Sequence, residues 1–241
     1  MIRLFAAGSL KDTLAEMADA YEAAGGESVV AKFGPSGLLK DEIAGGATAD
    51  VFASADMAHP RALHDAGIGG PVICFARNQL CALVRPGLPV VSESLLDTML
   101  DPEVKLGTST PKADPSGDYA FEVFRKADAV KPNARAALEK KARQLTGSED
   151  SAAPPAGSSV YGWHVAEARA DIFLTYLTNA LAAQREFPGQ QSVMLPDALA
   201  VTAGYGLTVI EGAPEGAHAF AQFVLSARGQ SLLARHGFAA P

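Results

Sequence analysis

The chain is poor in cysteine. Only Cys74 and Cys81 occur among 241 residues, with no CxxC and no Cys/His zinc spacing, which excludes a disulfide scaffold and a zinc module. The two thiols read as buried side chains, with a hairpin disulfide as the alternative. Aromatics are scarce at 7%, and Lys and Arg number 20 against 27 Asp and Glu, a net charge of −7. Nucleic acid and anionic membrane surfaces are therefore poor partner candidates. No apolar run reaches the length of a membrane span, so membrane insertion is not expected. No secretory leader precedes Ile2, so the chain reads either as cytosolic or as a mature form whose leader has been removed. GxSxG, the P-loop, GxGxxG and a Ser-His-Asp order are all missing, and no enzyme is expected. His59 and His64 stand five apart, which does not put them on one helical face, so no metal pair is expected. Asp50 and Asp56 flank an apolar run and read as turn or cap residues.

What is present is an ordinary globular composition, 48% hydrophobic and 20% charged, enough for one large or two medium domains. Ile2–Ala6 is a short continuous apolar run and reads as a buried strand. Leu10–Ala24 places Leu10, Leu14, Met17, Ala18 and Tyr21 at helical spacing, with Ser9 as its N-cap. Ser28–Phe33, Asp50–Ser54 and the helices Leu38–Ala44 and Pro60–Ala66 continue the alternation, with Gly25-Gly26, Gly45-Gly46 and Gly67 as helix stops. This order predicts a parallel sheet covered by helices.

The texture then changes. Val72–Phe75 and Leu80–Val84 read as two β runs split by the polar Arg77-Asn78-Gln79. A second α/β unit follows: helix Ser92–Leu100, strand Lys105–Thr108, a helix opened by Ser116, and a helix over Asn133–Leu145. The stretch 147–159 is a loop by composition. Beyond it come helix Val160–Arg169, strand Asp171–Tyr176, a helical turn Asn179–Ala183 and a strand and turn over Ala200–Ile210. The chain ends in a helical stretch Pro214–His236 broken near Gly229. The pattern predicts two lobes, residues 1–77 with 204–241 and residues 78–203, joined by a hinge. Ligands in such folds bind at the carboxyl ends of strands, in the crevice between lobes.

Four turns present a serine where a helix begins: Ser9 after Phe5-Ala6-Ala7-Gly8, Ser36 after Phe33-Gly34-Pro35, Ser116 after Asp114-Pro115, and Ser158 or Ser159 after Ala156-Gly157. Serine is a favoured N-cap, and capping alone accounts for any single one. Helix N-termini also carry unpaired N–H groups and the positive end of the helix dipole, so converging termini suit an anion. Ser9 and Ser36 both follow strands, which favours that second role for them.

Phe5-Ala6-Ala7-Gly8-Ser9-Leu10, Phe33-Gly34-Pro35-Ser36-Gly37-Leu38 and the run from Gly46 to Asp56 (GATADVFASAD) are similar, in order and spacing, to the periplasmic molybdate-binding proteins of ABC transporters. The resemblance continues through Asp114–Ala120, Asp171–Tyr176 and Ala234–Phe238, so it covers nearly the whole chain. It implies a type II periplasmic-binding-protein fold, each lobe a mixed, mostly parallel sheet flanked by helices. It implies capture of molybdate or tungstate and delivery to a transporter permease, as a periplasmic monomer without a cofactor. A cytosolic oxyanion-sensing domain of the same fold is the alternative. The positions matching the family's oxyanion donors are Ser9, Ser36, Ser116 and Tyr176. A fifth falls at Ser158, Ser159 or Val160, with Ser159 preferred, because the stretch before it matches nothing in the family. Ser116 adds a hydroxyl where the family often has Ala. Such donors suit the chemistry: molybdate and tungstate are dianions with no proton near neutral pH, so they need donors only.

Overall fold

The computed structural model describes all 241 residues. The chain divides into two compact units, Met1–Asn78 with Ala203–Pro241, and Gln79–Thr202. In chain order the elements are β1 (Ile2–Ala7), α1 (Lys11–Ala23), β2 (Val29–Gly34), α2 (Ser36–Ala44), β3 (Val51–Ser54), α3 (Ala58–Asp65) and β4 (Ile73–Val84). Then come α4 (Leu95–Leu100), β5 (Leu106–Ser109), α5 (Pro115–Val130), α6 (Ala134–Lys141), β6 (Arg143–Thr146), α7 (Val160–Ala166), β7 (Ile172–Tyr176), α8 (Leu177–Glu186) and β8 (Gln191–Met194). Finally β9 (Thr202–Val209), α9 (Glu215–Leu225) and α10 (Ala227–Arg235) close the chain.

In the first unit the strand order is β2-β1-β3-β9-β4. β1 is parallel to both β2 and β3, and β3 is antiparallel to β9. Burial follows position in the sheet. All four residues of the inner strand β3 are buried, whereas β2, at the edge, alternates and leaves Val30 and Lys32 exposed. A lysine there discourages pairing with another chain. α1 buries Leu14, Met17, Ala18 and Tyr21, and Tyr21 meets Phe220 and Phe223 of α9 edge-on at 5.3 and 5.4 Å. Another cluster packs Leu39 and Ile43 of α2 and Leu63 of α3 against Phe52. Burying each such side chain contributes roughly 1.5–3 kcal/mol.

In the second unit β5 is parallel to β6 and β7, while β4 is antiparallel to β7 and β8. Its core joins Cys81 and Leu83 of β4, Phe173 of β7, Val165 of α7, and Ala180 and Ala183 of α8. Small residues on α8 let that helix lie close to the sheet. Gly117 sets another close approach. A Cβ there would sit 2.6 Å from Ser109 O and Pro111 N, so the first turn of α5 lies directly against the end of β5.

Several elements differ from the sequence expectation. The two β runs around Arg77-Asn78-Gln79 are one strand, β4. Arg77 exchanges both backbone hydrogen bonds with Ala239, at 2.8 and 2.9 Å, so polar side chains do not interrupt the ladder. The helix expected over Asn133–Leu145 stops at Lys141, and its last residues form β6 beside β5, with Leu145 packed against the core. Asn179–Ala183 is the middle of a full helix, α8, and β8 was not anticipated. The C-terminal break lies at Ser226, whose extended backbone and hydroxyl cap α10 through the Gly229 N–H at 3.2 Å. Gly229 is instead a contact glycine, since a Cβ would meet Phe223 O and Val224 O at 2.4 Å. Asp50 sits at a bend just before β3, and its side chain does more than hold a turn. It takes three hydrogen bonds from Arg3, from the backbone N–H at 2.7 Å and from Nε and Nη2 at 2.9 and 2.7 Å. Asp56 does sit at a helix start, accepting the His59 N–H at 3.1 Å. Both cysteines are free thiols; Cys81 is buried and burial pushes it up to about 12.

Candidate functional site

The parallel register of β1 and β2 pairs Ala7 with Gly34. Ser9 and Ser36 each stand two residues beyond that pair, at the same edge of the sheet. Ser9 lies in a 3-10 turn, Gly8–Leu10, and makes no cap hydrogen bond, contrary to its expected role at the start of α1. Its Oγ lies 2.9 Å from the phenol oxygen of Tyr205 on β9. Asn78 Nδ2 donates to the same phenol oxygen at 3.3 Å. Ser36 is the first residue of α2, with Pro35 in the cap position. Its side chain is buried and accepts the Ala55 N–H at 3.1 Å, tying the start of α2 to the end of β3. Three strand ends thus meet around two serine hydroxyls.

Tyr205 and Asn78 escaped the sequence reading. Tyr205 alternates with Ala203 and Leu207 as a buried position of β9, and a buried tyrosine needs a partner for its hydroxyl. That signal pointed to a polar contact without saying where.

In the second unit, β5 and β7 are parallel neighbours, with Gly107 level with Phe173. Ser116 comes after the end of β5, and Tyr176 is the last residue of β7. Ser116 does not open α5; Asp114 holds the cap position and accepts the Ser116 N–H at 3.0 Å. The Ser116 hydroxyl is fully buried and has no hydrogen-bond partner. Tyr176 ends β7 in the cap position of α8, almost wholly buried, with its ring edge-on to Tyr119 at 6.2 Å. Ser159 is the N-cap of α7, its Oγ accepting the Gly162 N–H at 3.3 Å. Its own N–H donates to Glu186 Oε2 at 2.7 Å, and the Ser158 hydroxyl donates to the other oxygen of Glu186.

Further polar groups gather at the ends of β5, β6 and β7. Ser109 Oγ and Thr146 Oγ1 lie 2.9 Å apart, and Asn179 donates to Thr175 Oγ1 at 3.0 Å. Burial pushes the Asp114 carboxyl up to about 6, opposed by the Ser116 N–H and the Ser109 hydroxyl and aided by the charge of Asp118. Burial likewise raises the Tyr161 phenol, which faces Asp114, Ser109, Thr175 and Asn179. His164, packed on Phe173, is held below its ordinary value by burial and by Arg169. No group of three His, Cys, Asp or Glu side chains converges as a metal site would require.

The family model for bacterial extracellular solute-binding proteins matches residues 2–239. The chain belongs to that family. An uncharacterized protein from Pasteurella multocida is 32% identical over 207 residues, 86% of each chain. The molybdate-binding protein ModA of Mycobacterium tuberculosis is 28% identical over 244 residues, covering 100% of this chain and 85% of that protein. Among solved structures, the periplasmic molybdate-binding protein of Azotobacter vinelandii has the same fold, with a TM-score of 0.80 at 19% identity over the whole of both chains. The solute-binding protein thus has the mixed α/β periplasmic-binding-protein fold expected from its sequence. No helix in it is long and apolar enough to cross a membrane.

Proposed function

We propose that this solute-binding protein captures molybdate or tungstate in the periplasm and delivers it to the permease of an ABC transporter. Ser9 and Ser36 on the first unit, and the Ser116 and Ser159 turns with the Tyr176 hydroxyl on the second, serve as donors to one bound oxyanion. The observation that carries the reading is the levelling of Ser9 and Ser36 at paired strand ends. Two neutral hydroxyls are thereby presented where a lysine or arginine would attract anions of every kind. Fixed hydroxyls and N–H groups at a set radius select by anion size, and a dianion without a proton is met by donors alone. Full-length similarity to proteins named for molybdate binding supports the same choice of ligand. The reading assigns no catalytic step and no cofactor.

A thermal-shift and calorimetric panel at pH 6 tests it, with molybdate, tungstate, sulfate and phosphate. Molybdate or tungstate at a hundredfold excess over Kd should stabilise the protein by about 2.7 kcal/mol. An equal or larger shift with sulfate or phosphate overturns the assignment.

A further inference from the structure

A shell made of donors has no use for a carboxylate, yet Asp114 stands inside the second unit's share of the site. Its Oδ1 holds the Ser116 N–H at 3.0 Å, the backbone donor that the proposed function gives to the ligand. Its other oxygen is hemmed in by the loop after β6. Gly147, at φ 88°, comes so close that a Cβ there would lie 2.6 Å from Asp114 Cβ and 3.1 Å from Oδ2. Beside this carboxyl, the fully buried Ser116 Oγ has no partner, although a buried hydroxyl is nearly always satisfied. An acceptor already engaged and a donor left over are thus held one residue apart.

Resting on the function proposed above, we infer that Asp114 is a specificity-determining residue: the bound oxyanion and the Asp114 carboxyl share one proton. An oxyanion taking the Ser116 hydroxyl and N–H comes up against the Asp114 oxygens. If both are fully ionised, the contact is repulsive and leaves facing lone pairs. One proton converts it into a hydrogen bond. The groups that act on the Asp114 carboxyl are acidic or neutral. Asp118 on the same helix adds negative charge, Tyr161 of α7 presents a neutral phenol, Ser109 of β5 a hydroxyl, and the loop after β6 the backbone at Gly147. Burial already favours the protonated acid. The proton has two sources. Molybdate and tungstate carry none near neutral pH, so Asp114 must take one from solvent. Hydrogen phosphate or hydrogen arsenate brings its own.

Calorimetric titration of the full chain from pH 5.5 to 8.5, in two buffers of different protonation enthalpy, separates these cases. Molybdate, tungstate and phosphate are the probes, with wild type and Asp114→Asn compared; Asn caps a helix as well as Asp does. For wild type, molybdate affinity should fall about tenfold per pH unit above about pH 6, with close to one proton taken up per anion. Asp114→Asn should bind molybdate with no such slope, and at pH 8 about a hundredfold tighter than wild type. Any phosphate binding by wild type should be nearly independent of pH from 7 to 8.5, with little proton uptake. Molybdate binding by wild type that is flat from pH 5.5 to 8.5 without proton uptake overturns the shared proton and leaves the oxyanion function standing. Phosphate binding without molybdate binding, lost in Asp114→Asn, overturns the choice of molybdate and supports the shared proton. Failure of both proteins to bind molybdate, tungstate or phosphate at any pH overturns the proposed function and this inference with it. Proton uptake by wild type decides the matter even where the variant folds poorly.

Discussion

Ser9 Oγ and Tyr205 Oη lie 2.9 Å apart, although the two residues are 196 positions apart in the chain. If Tyr205 is the donor in this contact, the Ser9 proton is left for a ligand, and Asn78 Nδ2 supplies a hydrogen bond to the phenol oxygen. Tyr205→Phe should therefore weaken molybdate binding by about tenfold, the effect of losing one hydrogen bond of about 1.4 kcal/mol, while removing little packing volume. Calorimetry on the variant, with its melting temperature as folding control, checks this. Unchanged affinity would show that the phenol does not orient Ser9.

Ser36→Ala separates anchoring from ligand binding. The Ser36 oxygen accepts the Ala55 N–H inside the protein, so its loss should lower stability by about 1 kcal/mol. Capping plays no part in that figure, because Pro35 holds the cap position. If the hydroxyl also donates to the oxyanion, affinity should drop a further tenfold or more at matched folded fraction. A stability loss with unchanged affinity would leave Ser36 a structural residue.

Acid stability reports on Asp50. Hydrogen bonds from Arg3, opposed by burial, hold its carboxyl below the ordinary range. A depressed folded-state value stabilises above the unfolded value, and that stability is lost as pH falls through the folded one. Asp50→Asn should cost about 1–3 kcal/mol in urea melts at pH 7. The gap to wild type should narrow as pH falls below the ordinary carboxylate range. A gap that widens on acidification refutes this account.

The sheet-and-helix alternation of the first unit was legible because its strands are short apolar runs and its helices stop at glycines. Gly25, Gly46 and Gly67 all have positive φ. β4 was not, because hydropathy registers Arg77, Asn78 and Gln79 as a break, while the ladder is satisfied by the backbone of Ala239, far along the chain. β6 and the C-terminal break failed for related reasons: a strand follows α6 after one extended residue, and Gly229 imitates a helix breaker while serving a close contact. At the site, sequence reading placed serines at strand ends but could not tell a capping hydroxyl from one turned to another partner. Ser9, Ser36 and Ser116 all looked like caps, yet none of them caps a helix. Of the four turns, only Ser159 caps. Asp114 and Glu186, two acceptors among the donors, declare themselves only in three dimensions.

Tyr176→Phe removes one hydroxyl from the end of β7 and leaves the ring against Tyr119. A hydrogen bond to a charged group contributes about 1.5–3 kcal/mol, so affinity should fall tenfold to a hundredfold when compared at matched folded fraction. Affinity equal to wild type removes Tyr176 from the donor set.

Glu186 decides which residue supplies the remaining donor. Its carboxylate takes the Ser159 N–H at 2.7 Å and the Ser158 hydroxyl, so an oxyanion that uses either group must displace it. A ligand held instead by the Val160 N–H has no such competitor. Glu186→Ala frees both serines. Because Glu186 is exposed at the last position of α8, the change should alter stability by no more than about 0.5 kcal/mol. Removing any negative charge near an anion site also strengthens binding through the field alone, and that contribution must be separated from displacement. At about 1 M salt the screening length is only about 3 Å, so the field of an exposed charge is largely suppressed whereas competition for one N–H persists. Titration of molybdate at that salt should therefore show Glu186→Ala binding several-fold tighter than wild type if Ser158 or Ser159 is the donor. Adding Ser159→Ala to that variant tests the hydroxyl apart from the N–H, since the backbone donor survives the change. Equal affinities for wild type and Glu186→Ala at high salt would move the contact to Val160.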